Sequence, residues 1–192
     1  MRKTLLIAFG VVGVLVIAFV VFVALQPSRF RVTRKATISA PAPVVFAQVN
    51  DFHNWEAWSP WAKLDPTAKN SFEGPSAGPD AVFRWSGNDQ IGEGRMTIRE
   101  SRPGEFIKIE LEFIRPMTGT SDVEFDFEPA GEQTAVTWSM TGENNFIGKA
   151  FCLFMNIDKT VGGDFEKGLA LLKTAAESKT QQPAADEATA DQ

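Results

Sequence analysis

The sequence has very few of the side chains on which metal sites, disulfide frameworks and most acid-base chemistry depend. Its 192 residues include no tyrosine, one cysteine (Cys152) and one histidine (His53). A single cysteine excludes an intramolecular disulfide framework, and a lone histidine completes neither a zinc-ligand set nor a convincing Ser-His-Asp triad. We therefore expect no metal and no cofactor, and we interpret His53 as a surface residue and Cys152 as a buried thiol.

Negative charge is missing from the beginning of the chain. Arg2, Lys3 and Arg29 are the charged residues before position 30, although the whole chain has a net charge of -5. The remainder is therefore acidic, which argues against nucleic acid as a partner. The aromatic residues are 16 Phe and 5 Trp, so the aromatic surface is unusually apolar.

Residues 5–25, LLIAFGVVGVLVIAFVVFVAL, contain no charged side chain. A helix of this length covers about 30 Å, the thickness of the hydrocarbon core of a bilayer. The segment predicts a single transmembrane helix that makes residues 1–29 a membrane anchor, and a cleaved signal peptide is the alternative. Because basic residues flank both ends, the orientation stays open, with a slight preference for a periplasmic or extracytoplasmic domain.

Beyond this segment, hydrophobic residues recur with a period of two. Residues 30–39 predict a first strand, and two short helices follow, the second around the run WEAWSPW. Trp55, Trp58 and Trp61 of that run either plug one end of the core or form an aromatic rim at a cavity mouth. Six further strands, separated by Gly and Pro turns, are predicted at 68–73, 81–86, 92–101, 105–114, 119–128 and 134–141.

The next element is predicted to be one long amphipathic helix over residues 149–173, the one element large enough to cover the apolar face of the sheet. Asp158 and Gly162 interrupt its apolar stripe with a carboxylate and a missing side chain. Such exceptions indicate a close backbone contact or a cavity. Residues 177–192 are polar and acidic and predict a disordered tail.

The chain also carries a set of short motifs in a characteristic order. They are Ala40-Pro41, Trp55-x-x-Trp58-Ser59-Pro60-Trp61, Asp65-Pro66, Trp85 with Gly87, Gly92-x-Gly94, and Asp158-x-x-x-Gly162-x-Asp164-Phe165-x-x-Gly168-Leu169. In these motifs and in its element order the chain resembles the SRPBCC superfamily, which includes START domains, and within it the bacterial polyketide cyclase/dehydrase subgroup. The resemblance covers residues 30–176 and implies an α+β helix-grip fold: a curved antiparallel sheet of about seven strands wraps around a long C-terminal helix and leaves a hydrophobic pocket.

The implied pocket is lined from the concave face of the sheet and from the helix stripe. We expect its lining to comprise Phe83, Trp85, Met96, Phe113, Trp138, Met140, Phe154, Asp158, Gly162 and Phe165. The indole N–H groups of Trp85 and Trp138 are candidates for orienting a carbonyl or hydroxyl of an apolar ligand. Asp158 is the best catalytic candidate, as a general acid or base with a raised pKa. Alternatively it bonds Trp85, a backbone N–H or a basic strand residue such as Arg84 or Arg95, and fixes helix to sheet.

Three functions stay open at this stage. The leading hypothesis is a membrane-anchored module that binds a lipid or another hydrophobic small molecule near the bilayer. The second is a cyclase or dehydratase that acts on a polyketide-like substrate with Asp158 and the pocket indoles. The third is an interaction domain with a collapsed core and no ligand. The fold alone does not choose among them, because one fold supports many chemistries.

Overall fold

The computed structural model describes the backbone of residues 2–190 and the side chains of residues 9–181. Helix α1 (Arg2–Ala24) leads to strand β1 (Arg29–Ile38), helix α2 (Ala42–Asn50), a 3-10 turn (Phe52–Asn54) and helix α3 (Trp55–Trp58). Six strands follow: β2 (Lys69–Glu73), β3 (Val82–Ser86), β4 (Glu93–Arg102), β5 (Phe106–Arg115), β6 (Gly119–Ala130) and β7 (Gln133–Glu143). Helices α4 (Phe146–Cys152) and α5 (Ile157–Ala190) come last.

Helix α1 carries mostly apolar side chains. The large ones described from Phe9 to Phe22 have exposed fractions between 44% and 70%, whereas Val23 is buried. Within the part of the chain whose side chains are described, no helix combines the length and the hydropathy that a membrane crossing requires. Residues 5–8 of the predicted span lie outside that part.

The seven strands form one antiparallel sheet in the order β1-β7-β6-β5-β4-β3-β2. All seven strands lie within about two residues of their predicted positions, because alternation of apolar and polar residues marks a sheet with one buried face. A register shift between Glu93 and Gly94 marks an irregularity in the pairing of β4 with β5. The outward face carries cross-strand ion pairs such as Arg99 with Glu110 and Lys108 with Asp122.

The concave face of the sheet points toward the helices. Its inward positions on β3 to β7 are Phe83, Trp85, Gly94, Met96, Ile98, Ile107, Ile109, Leu111, Phe113, Ser121, Val123, Phe125, Phe127, Val136, Trp138, Met140 and Gly142. This set contains no ionisable side chain. We call the end that holds Ile98, Ile107, Phe127 and Val136 the closed end, and the end that holds Phe113, Ser121 and Gly142 the open end.

Short helices cover the closed end together with α5. Phe46 of α2 packs edge-on against Phe127, with ring centroids 5.5 Å apart, and Trp58 of α3 contacts Phe125 and Trp138. Among the strands, α5 packs chiefly against the edge strand β1. The expectation that the long helix alone covers the sheet is therefore wrong, because the tryptophan-rich short helices supply much of the apolar volume.

The tryptophans of α3 belong to the core rather than to a cavity rim. Trp55 is 6% exposed and Trp58 is fully buried. Their indole N–H groups donate to the main-chain oxygens of Val49 and Gln48 at 2.9 and 3.0 Å, so neither polar group is left unpaired. These bonds fix α3 against the end of α2.

The predicted single helix over 149–173 is two helices. α4 ends at Cys152, and α5 begins at Ile157 after an irregular link. Asn145 and Asn156 accept hydrogen bonds from the N–H groups of Gly148 and Lys159, so each helix has its own N-terminal side-chain cap. α5 continues to Ala190, across the stretch for which a disordered tail is predicted. Side chains from 182 onward lie outside the described residues, and the tail stays a prediction.

Candidate functional site

A row of aromatic rings crosses the concave face near its open end. Phe72 of β2, Phe83 and Trp85 of β3, and Phe113 of β5 follow one another with centroid separations of 5.3, 6.0 and 6.1 Å. Phe72 is 44% and Phe113 is 39% exposed, and the two rings between them are half-buried. We call these four side chains the aromatic row. They offer apolar area that the core does not cover.

Trp85 is held flat within this row. Its Nε1–H donates to the main-chain oxygen of Ile91 at 2.9 Å. Its register partner is Gly94, where a Cβ would lie 2.6 Å from two carbons of the indole. Gly94 therefore lets the indole lie on the sheet, and the Trp85 N–H group, a candidate for orienting a ligand, already has a partner within the protein.

Exposure increases step by step toward the open end. Along β5, Ile107 and Ile109 are fully buried, Leu111 is 9% exposed and Phe113 is 39% exposed. Met96 and Met140, on the neighbouring parts of β4 and β7, are buried just below this opening. Two of the expected lining residues, Met96 and Met140, thus share the open half of the concave face with the aromatic row, which itself contains Phe83, Trp85 and Phe113.

Trp138 and Phe165 lie deeper, in the packed core. Their rings stack with centroids 3.9 Å apart, and both side chains are almost fully buried. Gly168 makes room for this stack, since a Cβ there would lie 2.7 Å from the Trp138 ring. The Trp138 Nε1–H is buried and has no hydrogen-bond acceptor among the described residues. A buried donor without a partner is costly, so this N–H group is a candidate contact for a water or a ligand oxygen.

Asp158 and Gly162 face Arg34 instead of a cavity. The Arg34 guanidinium donates to both carboxylate oxygens of Asp158 at 3.0 and 3.2 Å, to the main-chain oxygen of Asp158 at 2.9 Å, and to Glu166 at 2.7 Å. A Cβ on Gly162 would overlap the guanidinium. Asp158, Gly162 and Glu166 are four residues apart on α5, so they form one row along the helix that receives the arginine.

Arg34 also determines the protonation of Asp158. Its hydrogen bonds hold the pKa of the Asp158 carboxyl below the ordinary value, and the two carboxylates raise the pKa of Arg34. A general acid needs the opposite shift. The geometry therefore matches the alternative in which Asp158 fixes helix to sheet, although the partner is Arg34 and not an indole or an arginine of β3 or β4.

A signal for Arg34 is present in the sequence. On β1 the inward positions are Phe30, Val32, Arg34, Ala36 and Ile38, so the alternation places an arginine on the buried face. A long basic side chain at such a position requires acidic partners on the covering element. Asp158 and Glu166, spaced two helical turns apart, are such partners.

Phe154 lies away from the sheet. It is 84% exposed in the link between α4 and α5, where it borders an open groove of about 510 Å³. The groove is bounded by the start of β1, by α4 and by the first residues of α5, including Phe30, Cys152 and Ile157. Cys152 is partly exposed here, and its Sγ accepts a hydrogen bond from Asn144 at 3.3 Å.

A family model described as polyketide cyclase / dehydrase and lipid transport matches residues 29–177. The chain belongs to this family. No curated protein sequence matches the chain. The solved structure of protein CV1439 from Chromobacterium violaceum is 16% identical, with a TM-score of 0.53, and the match covers 79% of this chain and 99% of that one.

Two further solved structures share the fold. The Aha1 dimer from Colwellia psychrerythraea is 13% identical, with a TM-score of 0.56 over 77% of this chain and 96% of that one. The di-domain ARO/CYC StfQ of the steffimycin biosynthetic pathway is 13% identical, with a TM-score of 0.58 over 80% of this chain and 52% of that one. Identities this low show a shared fold and not a shared activity.

In this polyketide cyclase/dehydrase family member, the expected lining residues fall into four groups. Phe83, Trp85, Met96, Phe113 and Met140 lie together on the open half of the concave face. Trp138 and Phe165 form a stack in the core, and Asp158 and Gly162 hold Arg34. Phe154 lies on the rim beyond the sheet. The first group is the candidate binding site.

Proposed function

We propose that the chain is a membrane-anchored domain that binds a hydrophobic small molecule or lipid on the open half of its concave face. The observation that carries this proposal is the aromatic row, in which Phe72 and Phe113 stay 44% and 39% exposed on the inner face of the sheet. The 3-10 turn covers the row only in part, through His53 stacked on Phe72 and Phe52 against Phe83. A ligand that covers such rings gains roughly 25 cal/mol for each Å² removed from water. The family description, which includes lipid transport, is consistent with this function.

Binding is favoured over cyclisation by the chemistry of the concave face. Acid-base catalysis needs titratable groups within reach of the reacting atoms. The inward positions from Phe83 to Gly142 are apolar or small, and Asp158 is paired with Arg34 at the edge strand. The unpaired Trp138 N–H suits a ligand with one hydroxyl or carbonyl at its buried end.

Ligand binding is testable by native mass spectrometry of the full chain released gently from detergent micelles, followed by titration with fatty acids and sterols. We expect a co-purified or added apolar ligand, and a loss of affinity of about tenfold for Phe113→Ala. Leu171→Ala is the matched control, because Leu171 is similarly exposed but lies on α5 outside the row. A protein that emerges empty and ignores the whole panel would overturn the proposal.

The membrane attachment in this proposal rests on α1, whose described apolar side chains are exposed around the helix. We place the domain on the periplasmic or extracytoplasmic side. Fractionation and alkaline carbonate extraction test the attachment, and paired C-terminal alkaline phosphatase and fluorescent-protein fusions test the side. Recovery of the full chain in the soluble fraction would contradict the anchor, and an active cytoplasmic reporter would reverse the orientation.

A further inference from the structure

Exposed apolar side chains are concentrated at the open end of the domain. We call six of them the apolar rim: Ile114 and Met117 in and after β5, Phe146, Ile147 and Phe151 on α4, and Phe154 in the link to α5. Their exposed fractions run from 47% for Phe146 to 84% for Phe154. The sheet register places the β5–β6 turn and the end of β7, from which α4 follows, at this same end.

The opposite end of the sheet has a different surface. Its turns include Gly74–Asp80, Pro103 with Gly104, and Gly131 with Glu132, which consist of glycine, proline, polar residues and one alanine. No large apolar side chain described as exposed lies in those turns. The rim is therefore a local feature and not the ordinary scatter of apolar residues over a protein surface.

Helix α1 joins the domain at the same end. The main-chain N–H of Asn144 donates to Ser28 oxygen at 2.7 Å, and Lys149 Nζ donates to Ala24 oxygen at 3.2 Å. These contacts hold the end of α1 beside α4. The C-terminal end of α1 and the apolar rim thus lie at the same end of the domain.

We propose that the apolar rim rests in the surface of the lipid bilayer, so that the open half of the concave face receives its ligand directly from the membrane. A helix that is apolar around its whole circumference, as α1 is from Phe9 to Phe22, is suited to lipid, whereas a protein groove would cover one face of it. Arg29, which pairs with Glu143 at 2.9 Å, and Lys149 line the groove that also includes Pro27 and Phe154, and such basic side chains suit phosphate headgroups. The inference rests on the proposed membrane attachment.

Site-directed spin labelling of the full chain in vesicles of phosphatidylethanolamine and phosphatidylglycerol tests the rim without any ligand. In a Cys152→Ser background, nitroxides are placed at Met117, Ile147 and Phe151, with controls at Leu171 and at Glu132 in the opposite turn. We expect the ratio of oxygen to nickel-chelate accessibility to be several-fold higher at the rim than at the controls. Equal ratios on vesicle-bound protein, or failure to bind vesicles, would overturn the inference.

A second measurement separates membrane delivery from ligand binding. The variant Ile147→Ser/Phe151→Ser/Phe154→Ser removes apolar surface outside the aromatic row. We expect it to take up a pyrene-labelled fatty acid from vesicles roughly tenfold more slowly, while its equilibrium binding of the same molecule delivered from cyclodextrin is unchanged. Uptake within twofold of the parent rate would contradict the inference. Absence of binding by both delivery routes would instead contradict the proposed function, and the spin-label result would still decide the rim.

Discussion

The closed end and the open end of the concave face carry similar apolar and aromatic residues, but those residues differ in how far they are buried. At the closed end, Phe125 is fully buried among Trp55, Trp58 and Trp138. At the open end, Phe113 has one aromatic neighbour, Trp85, and remains 39% exposed. The short helices α2 and α3 make this difference, since they fill the sheet at one end only. The same apolar pattern along a strand therefore yields core at one end and an accessible surface at the other.

Truncating a phenylalanine at each end should separate stability from binding most strongly. We expect Phe125→Ala to lower the free energy of unfolding by about 3–5 kcal/mol, because it leaves a cavity among three indoles. Phe113→Ala should cost about 1 kcal/mol or less but weaken ligand binding. Urea unfolding of the full chain in micelles measures the first effect. Similar losses of stability in both variants would show that the open end is packed as tightly as the core.

Alanine substitutions at the glycines of α5 test how much free space surrounds each part of this helix. Gly168→Ala should destabilise the protein by about 1–3 kcal/mol, because the methyl group would meet the Trp138 ring and Pro60, neither of which can move freely. Gly163→Ala is the matched control, since nothing lies within 4 Å of its Cβ position. The control should stabilise the helix by up to about 1 kcal/mol. Thermal melts of the two variants should shift in opposite directions.

Gly162→Ala tests the contact of the Arg34 guanidinium with α5 at the edge of the sheet. The substitution gains helix propensity, as at Gly163, but the methyl group displaces the guanidinium from Asp158 and Glu166. We expect its melting temperature to lie below that of Gly163→Ala. If the two alanine variants melted together, the arginine contact would contribute nothing to the attachment of α5.

The smallest expected effect is the pH dependence of the Arg34–Asp158 contact. Arg34 lowers the pKa of Asp158 in the folded state below its ordinary value of 3.8, so the unfolded chain binds this proton more readily. The contribution to stability is then complete above about pH 4 and is lost as the pH falls through the folded-state pKa. The difference in melting temperature between the parent and Asp158→Asn should shrink from pH 6 toward pH 2.5. A constant difference would show that the carboxylate charge is not involved.

Local periodicity accounts for the part of the structure that could be predicted. Strand positions such as Phe106–Arg115 follow from period-two burial. The sequence does not predict the break between α4 and α5, because Phe151, Phe154 and Met155 continue a helical apolar pattern although none of them lies in the core. At Phe151 and Phe154 the helical spacing of apolar residues marks exposed surface and not a buried face.

The candidate site was less accessible to sequence reasoning because its contacts join distant parts of the chain. Asp158 stands out in the sequence as a carboxylate within an apolar stripe, but its partner Arg34 lies 124 residues away on the edge strand. The sequence predicts Trp85 as a lining residue, but the bond of its N–H to Ile91 depends on the geometry of the β3–β4 turn. Which of several apolar residues stay uncovered depends on where the short helices pack, and no spacing along one strand contains that information.

The short connection between α1 and β1 limits where this domain can work. α1 ends at Ala24 and β1 begins at Arg29, so the four residues between them reach at most about 14 Å when extended. With α1 anchored, the domain cannot travel between two membranes as a free carrier does. Under the proposed anchoring, the domain would diffuse within a single bilayer, and a bound ligand would leave that bilayer only by transfer to an acceptor that comes to it.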